Sequence, residues 1–507
     1  MYIAMYGLGV SLMLGYLVNK ITSQREFFYT NKILSSFFVL SYIVAIFFSI
    51  LYLTYPNYID HVEPIVANLG YRFKRGEAVY PPLDSYTFHG IVYGPLLAEL
   101  EAIFIGVTAN PILNSKLPTV LSFVIFALIC IFEIKNVIAR GYLISLIPFG
   151  YYLIWTRSEP VLLLFCALSW MAIKVKKWWA PFFLGLIFEL SFAMKIHGAI
   201  YILPFLLLAV MDIGFSWNLL YRFILIFVIG FILGFLICFV HNNVSWWQYI
   251  EYLKLTSQHK ISYDTLERNI FYFIFSLAPI IFLVSKVELS KKYIILIISI
   301  TFLELMSIIV GAKQGAGIYH FLPYIFVNAC LIEKVHQNIS NSKTLEGLKY
   351  GFIILAIYVI FVDLPKLINS ETSPALIHEQ NSILKELTQY NEIYPNALVG
   401  VSTGEPVSYS STFYRVILKA NGSEQIEVAP YMDLNLVGIT DAPLVSLINN
   451  CTREIILMPK DGKPFSILNF YTNKMLFSDE LRYTFERVYR KIDTGIAYDV
   501  YECKKPA

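Results

Sequence analysis

Residues 223–240 read Phe223-Ile224-Leu225-Ile226-Phe227-Val228-Ile229-Gly230-Phe231-Ile232-Leu233-Gly234-Phe235-Leu236-Ile237-Cys238-Phe239-Val240, an apolar run without one charged side chain. Wound as a helix at 1.5 Å per residue, it reaches about 27 Å, close to the roughly 30 Å hydrocarbon core of a bilayer. Working outward, comparable runs lie near 2–18, 33–54, 91–108, 117–134, 141–156, 160–174, 179–194, 196–211, 222–240, 269–284, 293–311, 318–332 and 350–364. The chain therefore reads as an all-α polytopic membrane domain of about 11–13 transmembrane helices over residues 1–368. The 2–18 run reads as a membrane helix rather than a cleaved signal, because no small-residue cleavage site follows it.

Composition agrees. Hydrophobic residues make up 57% and charged residues 15%, against about 25% charge in soluble domains, and the mean hydropathy is +0.61. A net charge of +3 over 507 residues gives no basic footprint for nucleic acid. Of six cysteines, Cys130, Cys166, Cys238 and Cys330 fall in apolar runs, whereas Cys451 and Cys503 lie in polar sequence and suit a disulfide in an oxidising compartment.

Lysine and arginine mark the cytoplasmic loops. They cluster at Lys20–Lys32, Lys174–Lys177, Lys286–Lys292 and Lys334–Lys349. Counting from these puts residues 55–90, the His241–Arg268 loop, the Gly311–Ile318 turn and everything after Pro365 on the outer side. Four apolar runs separate the loop ending at Gly90 from Lys174, yet an odd number of crossings is required. One of 91–108, 117–134, 141–156 or 160–174 is therefore re-entrant, merged with a neighbour or wrongly bounded. From about Ser370 the apolar runs shorten to strand length, as in Ala397–Val401 and Glu454–Met458, with turn residues at Lys460-Asp461-Gly462-Lys463-Pro464 and helical patterns over Ile383–Tyr390 and Asp479–Tyr489. Residues 369–507 are expected to form a soluble α/β or α+β domain.

The chemistry concentrates in the first outer loop, Tyr58-Ile59-Asp60-His61-Val62-Glu63-Pro64. Acids at the edge of a membrane helix are costly unless they serve a site or sit in a hydrated loop. Asp60 and Glu63 can supply a general base, or oxygen ligands to a divalent cation such as Mg, Mn or Ca. Pro64 suits the first turn of the next helix. There Ile65, Leu69 and Phe73 recur at four-residue spacing, with Arg72, Lys74 and Arg75 near the end, the pattern of a helix lying in the membrane interface.

The order Asp60-x-x-Glu63, then Gly76-Glu77-x-x-Tyr80, then Tyr93-Gly94-Pro95-Leu96 resembles the first outside loop of bacterial polytopic membrane glycosyltransferases of the GT-C superfamily. That superfamily includes relatives that use polyprenyl-phosphate mannosyl and arabinosyl donors. The likeness is specific over about Tyr58–Leu97 and diffuse elsewhere, and the extra leading helix departs from the usual pattern. The resemblance implies an inverting glycosyltransferase of the bacterial cytoplasmic (inner) membrane with its C-terminal domain extracytoplasmic. It would move a hexosyl or pentosyl group from a polyprenyl-phosphate donor to a cell-envelope glycan, lipid or protein acceptor. Asp60 would be the base, with Glu63 orienting it or sharing a cation.

A phosphate leaving group calls for fixed cations. Trp155-Thr156-Arg157-Ser158-Glu159 and Ala193-Met194-Lys195-Ile196-His197-Gly198 supply Arg157, Lys195 and His197 at outer turns, and Gly311-Ala312-Lys313-Gln314-Gly315-Ala316-Gly317 is followed by His320. Glycines around Lys313 leave backbone N–H groups open to an anion. Each also has a plainer reading: Lys195 and Lys313 suit snorkelling, the histidines suit the interface, and Arg157 suits a structural ion pair. Glu101, Glu133, Glu189 and Glu304 inside apolar runs raise a competing class, a lipid-linked-saccharide transporter or flippase. An O-antigen polymerase or ligase-like enzyme is the nearer rival. Neither explains a sizeable outer C-terminal domain.

Overall fold

The structure is a computed structural model that describes residues 27–89, 93–175, 177–214, 216–284, 289–335, 343–363, 374–402, 415–420, 422–460 and 462–504. The expected 2–18 helix lies outside the described residues. The membrane region contains α1 (Phe27–Thr54), α2 (Glu63–Lys74), α3 (Pro95–Phe104), α4 (Pro111–Glu133), α5 (Val137–Ile144), α6 (Ser158–Val175) and α7 (Ala180–Met194). It continues through α8 (Gly198–Ile213), α9 (Trp217–Phe239), α10 (Trp246–Thr256), α11 (Tyr263–Val284), α12 (Lys291–Val310), α13 (Leu322–Val335) and α14 (Lys343–Tyr358). Among the described residues, six helices are long and apolar enough to cross a bilayer: most of α1, then α4, α6, α9, α12 and Leu345–Val362, while α7 and α8 are shorter apolar helices.

Local chemistry sets the helix ends. Asn110 caps α4 through the N–H groups of Ile112 and Leu113, with Pro111 in the first turn. The C-terminus of α1 is closed by the buried ammonium of Lys116, which donates to the carbonyls of Tyr52 (3.1 Å), Tyr55 (2.8 Å) and Asn57, where a cation complements the helix dipole. Gly94 precedes α3 against α7: its N–H donates to Met194 O at 3.0 Å, and a Cβ there would stand 1.9 Å from Ala193 O.

Side-chain bonds identify the two ends of the bundle. At one end Lys174 pairs with Glu133 (2.8 Å), Glu333 accepts from the Asn136 N–H (2.8 Å), and Lys292 pairs with Asp212. At the other, Glu63 accepts from the Thr156 N–H, and the Ser262 N–H donates to Ala312 O. These contacts resolve the crossing count. α3 spans about 15 Å, half a bilayer core. It begins beside Met194, and its C-terminal cap residue Ile105 gives its carbonyl to Lys74 at the end of α2, so it starts and finishes at the same end. The 91–108 run is the one that does not cross. The expected 141–156 helix is broken instead: α5 stops at Ile144, and a 3-10 turn at Ile147–Leu153 carries the chain back toward Trp155.

The C-terminal region comprises α15 (Pro374–Ile393), β1 (Leu398–Val399), α16 (Arg415–Ala420), β2 (Glu424–Gln425), α17 (Val428–Asn435), α18 (Ala442–Asn449), β3 (Ile455–Pro459), α19 (Asp479–Val488), β4 (Tyr489–Thr494) and β5 (Tyr498–Cys503). The strands form a mixed sheet in the order β2-β1-β3-β5-β4, parallel among β2, β1 and β3 and antiparallel beyond. Alternation along β1 and β3 sends Leu398 and Ile456 toward α18 and α19, and Val399 and Leu457 toward α15 and α16. Cys451 and Cys503 are joined, Cα to Cα 6.0 Å, tying the end of α18 to β5.

One expectation is corrected. α2 does not lie free in the membrane interface, because Glu63 through Arg72 are all buried between α3 and the C-terminal region. Its cations go to protein partners: Arg72 to Glu77 (3.2 Å) and Arg75 to Ala420 O (2.7 Å), while Lys419 of α16 also takes Glu77 (2.7 Å). Four-residue apolar spacing looks the same whether lipid or protein covers the helix.

The end-to-end alternation predicts a labelling pattern. All four free cysteines are buried. A cysteine replacing exposed Tyr263 or Asp479 should react with an impermeant maleimide from one membrane face, and one replacing Trp178 or Lys135 from the opposite face. Labelling of Tyr263→Cys and Trp178→Cys from the same face would refute this path.

Candidate active site

The Asp60-x-x-Glu63 spacing folds as a turn closed by its own two carboxylates. The Val62 N–H donates to Asp60 Oδ2 (2.9 Å), and Glu63 Oε1 reaches back to accept from the Asp60 and Ile59 N–H groups, each at 2.8 Å. Both acids thus close the turn ahead of α2, whose N-cap residue Val62 has no side-chain cap of its own. Glu63 Oε2 accepts from the Thr156 N–H at 2.7 Å and from the Tyr52 phenol. Burial raises the Glu63 carboxyl above its ordinary value, and the donors from Thr156 and Tyr52 pull against that rise.

Fixing Thr156 fixes Arg157. Its Nε donates to Asp60 Oδ2 at 3.1 Å, Nη2 donates to the same oxygen, and its guanidinium lies 3.9 Å from the Trp155 ring centroid. Burial alone would raise the Asp60 carboxyl, but the Arg157 charge, aided by His61, holds it well below the usual carboxylate range. Burial likewise works against the guanidinium, and the Asp60 carboxylate more than restores it, so both partners stay charged.

A second acid–cation pair stands beside the first. Lys195 donates to Glu159 Oε1 at 3.0 Å, and Glu159 Oε2 accepts from the Trp155 indole N–H at 3.0 Å. Lys195 follows α7 in extended backbone bridged to Tyr93, and its ammonium lies 5.0 Å from the Tyr93 ring and 4.8 Å from the Tyr319 ring. Arg157 lies 5.8 Å from the same Tyr319 ring. Burial lowers Lys195, and Glu159 opposes this. Two cations, each matched to a carboxylate, thus share one aromatic wall.

The histidines are next door. His320 Nδ1 and His197 Nε2 are hydrogen-bonded at 2.8 Å. Burial first, and then nearby Lys195 (for His320 also His197), holds both imidazoles well below their ordinary value. That favours the neutral form of each, which suits hydrogen bonding rather than charge. Lys313 departs from expectation. Its ammonium donates to Ser257 O at 3.0 Å, and its backbone bridges Ile261, so it braces the 257–263 loop rather than the cation pair. Glycines beside a lysine open the backbone equally to a neighbouring strand and to an anion.

A divalent cation shared by Asp60 and Glu63 does not fit this arrangement. Each Glu63 oxygen faces two donors, and Asp60 Oδ2 faces three. Among the described residues no group of three or more His, Cys, Asp or Glu could hold a metal ion.

Sequence reasoning missed Glu159 as the partner of Lys195, and it missed the aromatic wall of Trp155, Tyr93 and Tyr319. The Trp155–Glu159 run carried part of that signal, since its indole and carboxylate sit one helical turn apart and bond to each other. Comparison of the chain with protein-family models and with curated proteins finds no match.

The depressed Asp60 carboxyl makes a pH prediction. Such a group stabilises the fold above its unfolded value of about 4, and the contribution fades as pH falls below that toward the lower native value. Asp60→Asn should therefore melt below the wild type in detergent by the same margin at pH 7 and pH 5, with the margin narrowing at pH 3. A margin already lost between pH 7 and pH 5 would contradict the pairing.

Proposed function

We propose that the chain is a GT-C-like membrane glycosyltransferase that moves a sugar from a polyprenyl-phosphate donor to an envelope acceptor on the outer face of the membrane. The observation that carries this reading is the pairing of Asp60–Arg157 with Glu159–Lys195 under Tyr319, at one end of an apolar helix bundle. The end bearing Lys174 and Lys292 is then cytoplasmic, by the positive-inside rule. The Cys451–Cys503 bond supports an oxidising compartment for the C-terminal region.

The donor phosphate sits between Arg157 and Lys195. Arg157 is then shared between the phosphate and Asp60. As the phosphate draws the guanidinium away, the Asp60 carboxyl rises from its depressed value toward one suited to accepting a proton. Asp60 takes the proton of the acceptor hydroxyl while that oxygen bonds to the anomeric carbon. The bond from that carbon to the phosphate oxygen breaks, and polyprenyl phosphate leaves as an anion held by the two cations. Attack opposite the leaving group inverts the anomeric centre. Glu63 touches no reacting atom: it holds Asp60 and Thr156 in register.

The test supplies membranes containing the chain with polyprenyl-phosphate sugars and resolves lipid-linked and transferred products by mass spectrometry. Asp60→Asn should cost about 10²–10⁴ in rate while donor binding survives. Arg157→Ala should lose donor binding, and Lys313→Ala should bind donor as the wild type does. Near-normal turnover by Asp60→Asn at normal abundance would overturn the assignment. Solute or lipid movement with no new glycosidic bond would favour a transporter.

A further inference from the structure

The segment 468–475 of the C-terminal region turns back over the Gly311–Gly317 loop of the membrane region. Asn469, fully buried, holds the turn: its Oδ1 accepts from the Tyr471 N–H at 2.9 Å, and its Nδ2 donates to Met432 O at 3.4 Å and to Asn435 Oδ1 at 3.3 Å, both on α17. The Tyr471 phenol faces Asp433 of the same helix. α17 is itself joined to the membrane region, because His259 Nε2 bonds Asp433 O at 3.1 Å. Tyr471 is thus held from two sides.

Its hydroxyl comes to rest on Gly315. That residue has φ +83°, and a Cβ built there would stand 2.4 Å from the Tyr471 hydroxyl oxygen. From the other side, the Tyr319 hydroxyl donates to Gly315 O at 3.2 Å. The Tyr319 ring in turn lies 4.8 Å from the Lys195 ammonium and 5.8 Å from the Arg157 guanidinium. One glycine therefore sits between a tyrosine from the C-terminal region and the tyrosine that walls the cation pair.

We infer that Tyr471 is a positioning residue for the anion site: by seating its hydroxyl on Gly315, the C-terminal region sets Tyr319 against Arg157 and Lys195. This rests on the reading that those two cations bind the donor phosphate. It gives the C-terminal region a part in the donor site, in addition to any contact with the acceptor. Tyr471 bears on the donor site through Gly315 and Tyr319 and through its nearness to Arg157, so its loss should raise the KM for donor and leave kcat nearly unchanged, as expected when binding is weakened equally in ground and transition states.

The experiment measures binding of a fluorescent polyprenyl phosphate to the full chain in nanodiscs, together with the donor KM and kcat. Tyr471→Phe, which keeps the ring, should weaken binding about fivefold, the scale of one lost hydrogen-bonding contact. Gly315→Ala should weaken it more, because the added methyl meets the phenol at a backbone angle that disfavours side chains. Gly315→Ala combined with Tyr471→Ala should bind better than Gly315→Ala alone, since the clash is gone. Wild-type binding by both Tyr471→Phe and Tyr471→Ala, with Arg157→Ala defective, would overturn this inference and leave the donor site standing. Wild-type binding by Arg157→Ala would overturn both.

Discussion

The carboxylate of Glu63 joins the end of α1, the loop that follows it and the distant Thr156 at one buried point. It accepts from the backbone of Ile59 and Asp60, from the Tyr52 phenol at the end of α1, and from the Thr156 N–H just ahead of α6. A buried carboxylate without such donors is expensive, and one with all of them ties its neighbours to a single geometry. Because Thr156 is fixed, Arg157 emerges against Asp60. Because Trp155 is fixed, its indole orients Glu159, which holds Lys195. Removing one partner from such a network leaves uncompensated buried groups, so substitution of Glu63 would disturb all of these segments together.

The cations come with their counterions. An unpaired arginine and lysine buried beside each other would repel and be desolvated without return. Asp60 and Glu159 remove that cost in the resting protein and leave an arrangement that an incoming anion can enter by exchange rather than by creating charge balance anew. On the proposed function, the same exchange would free a carboxylate held so acidic to serve as a base once Arg157 is drawn away. Buried Glu189 and Glu304, on α7 and α12, stand apart from this cluster, while Glu101 on α3 lies close enough to Glu63 for their charges to interact but its carboxylate has no hydrogen-bond partner among the described residues.

Much of this was legible in the chain. The uncharged run through Phe223–Phe239 and its counterparts specify a membrane bundle by transfer energetics alone, and the change of texture after Ser370 marks the sheet-containing region, whose β1 and β3 fall on Ala397–Val401 and Glu454–Met458. Asp60, Arg157 and Lys195 were readable as costly charges at membrane edges. Their pairing was not, because Asp60 and Arg157 lie 97 positions apart and only the fold decides which acid meets which cation. Run length misled at 91–108, where an apolar stretch packs as a half-length helix against α2, and glycine spacing misled at Lys313, whose ammonium closes a loop. Tyr471 carried no sequence signal, since its role depends on a turn of the C-terminal region meeting Gly315.

The central claim is that Arg157 and Lys195 form an anion site closed by Tyr319 and guarded by Asp60. A cryo-electron microscopy structure of the chain in nanodiscs with bound polyprenyl phosphate tests it most directly. The account predicts the phosphate between Arg157 and Lys195, within hydrogen-bond distance of both, with at least one Arg157–Asp60 contact given up. A bound phosphate elsewhere, with the Asp60–Arg157 and Glu159–Lys195 pairs undisturbed, would contradict it.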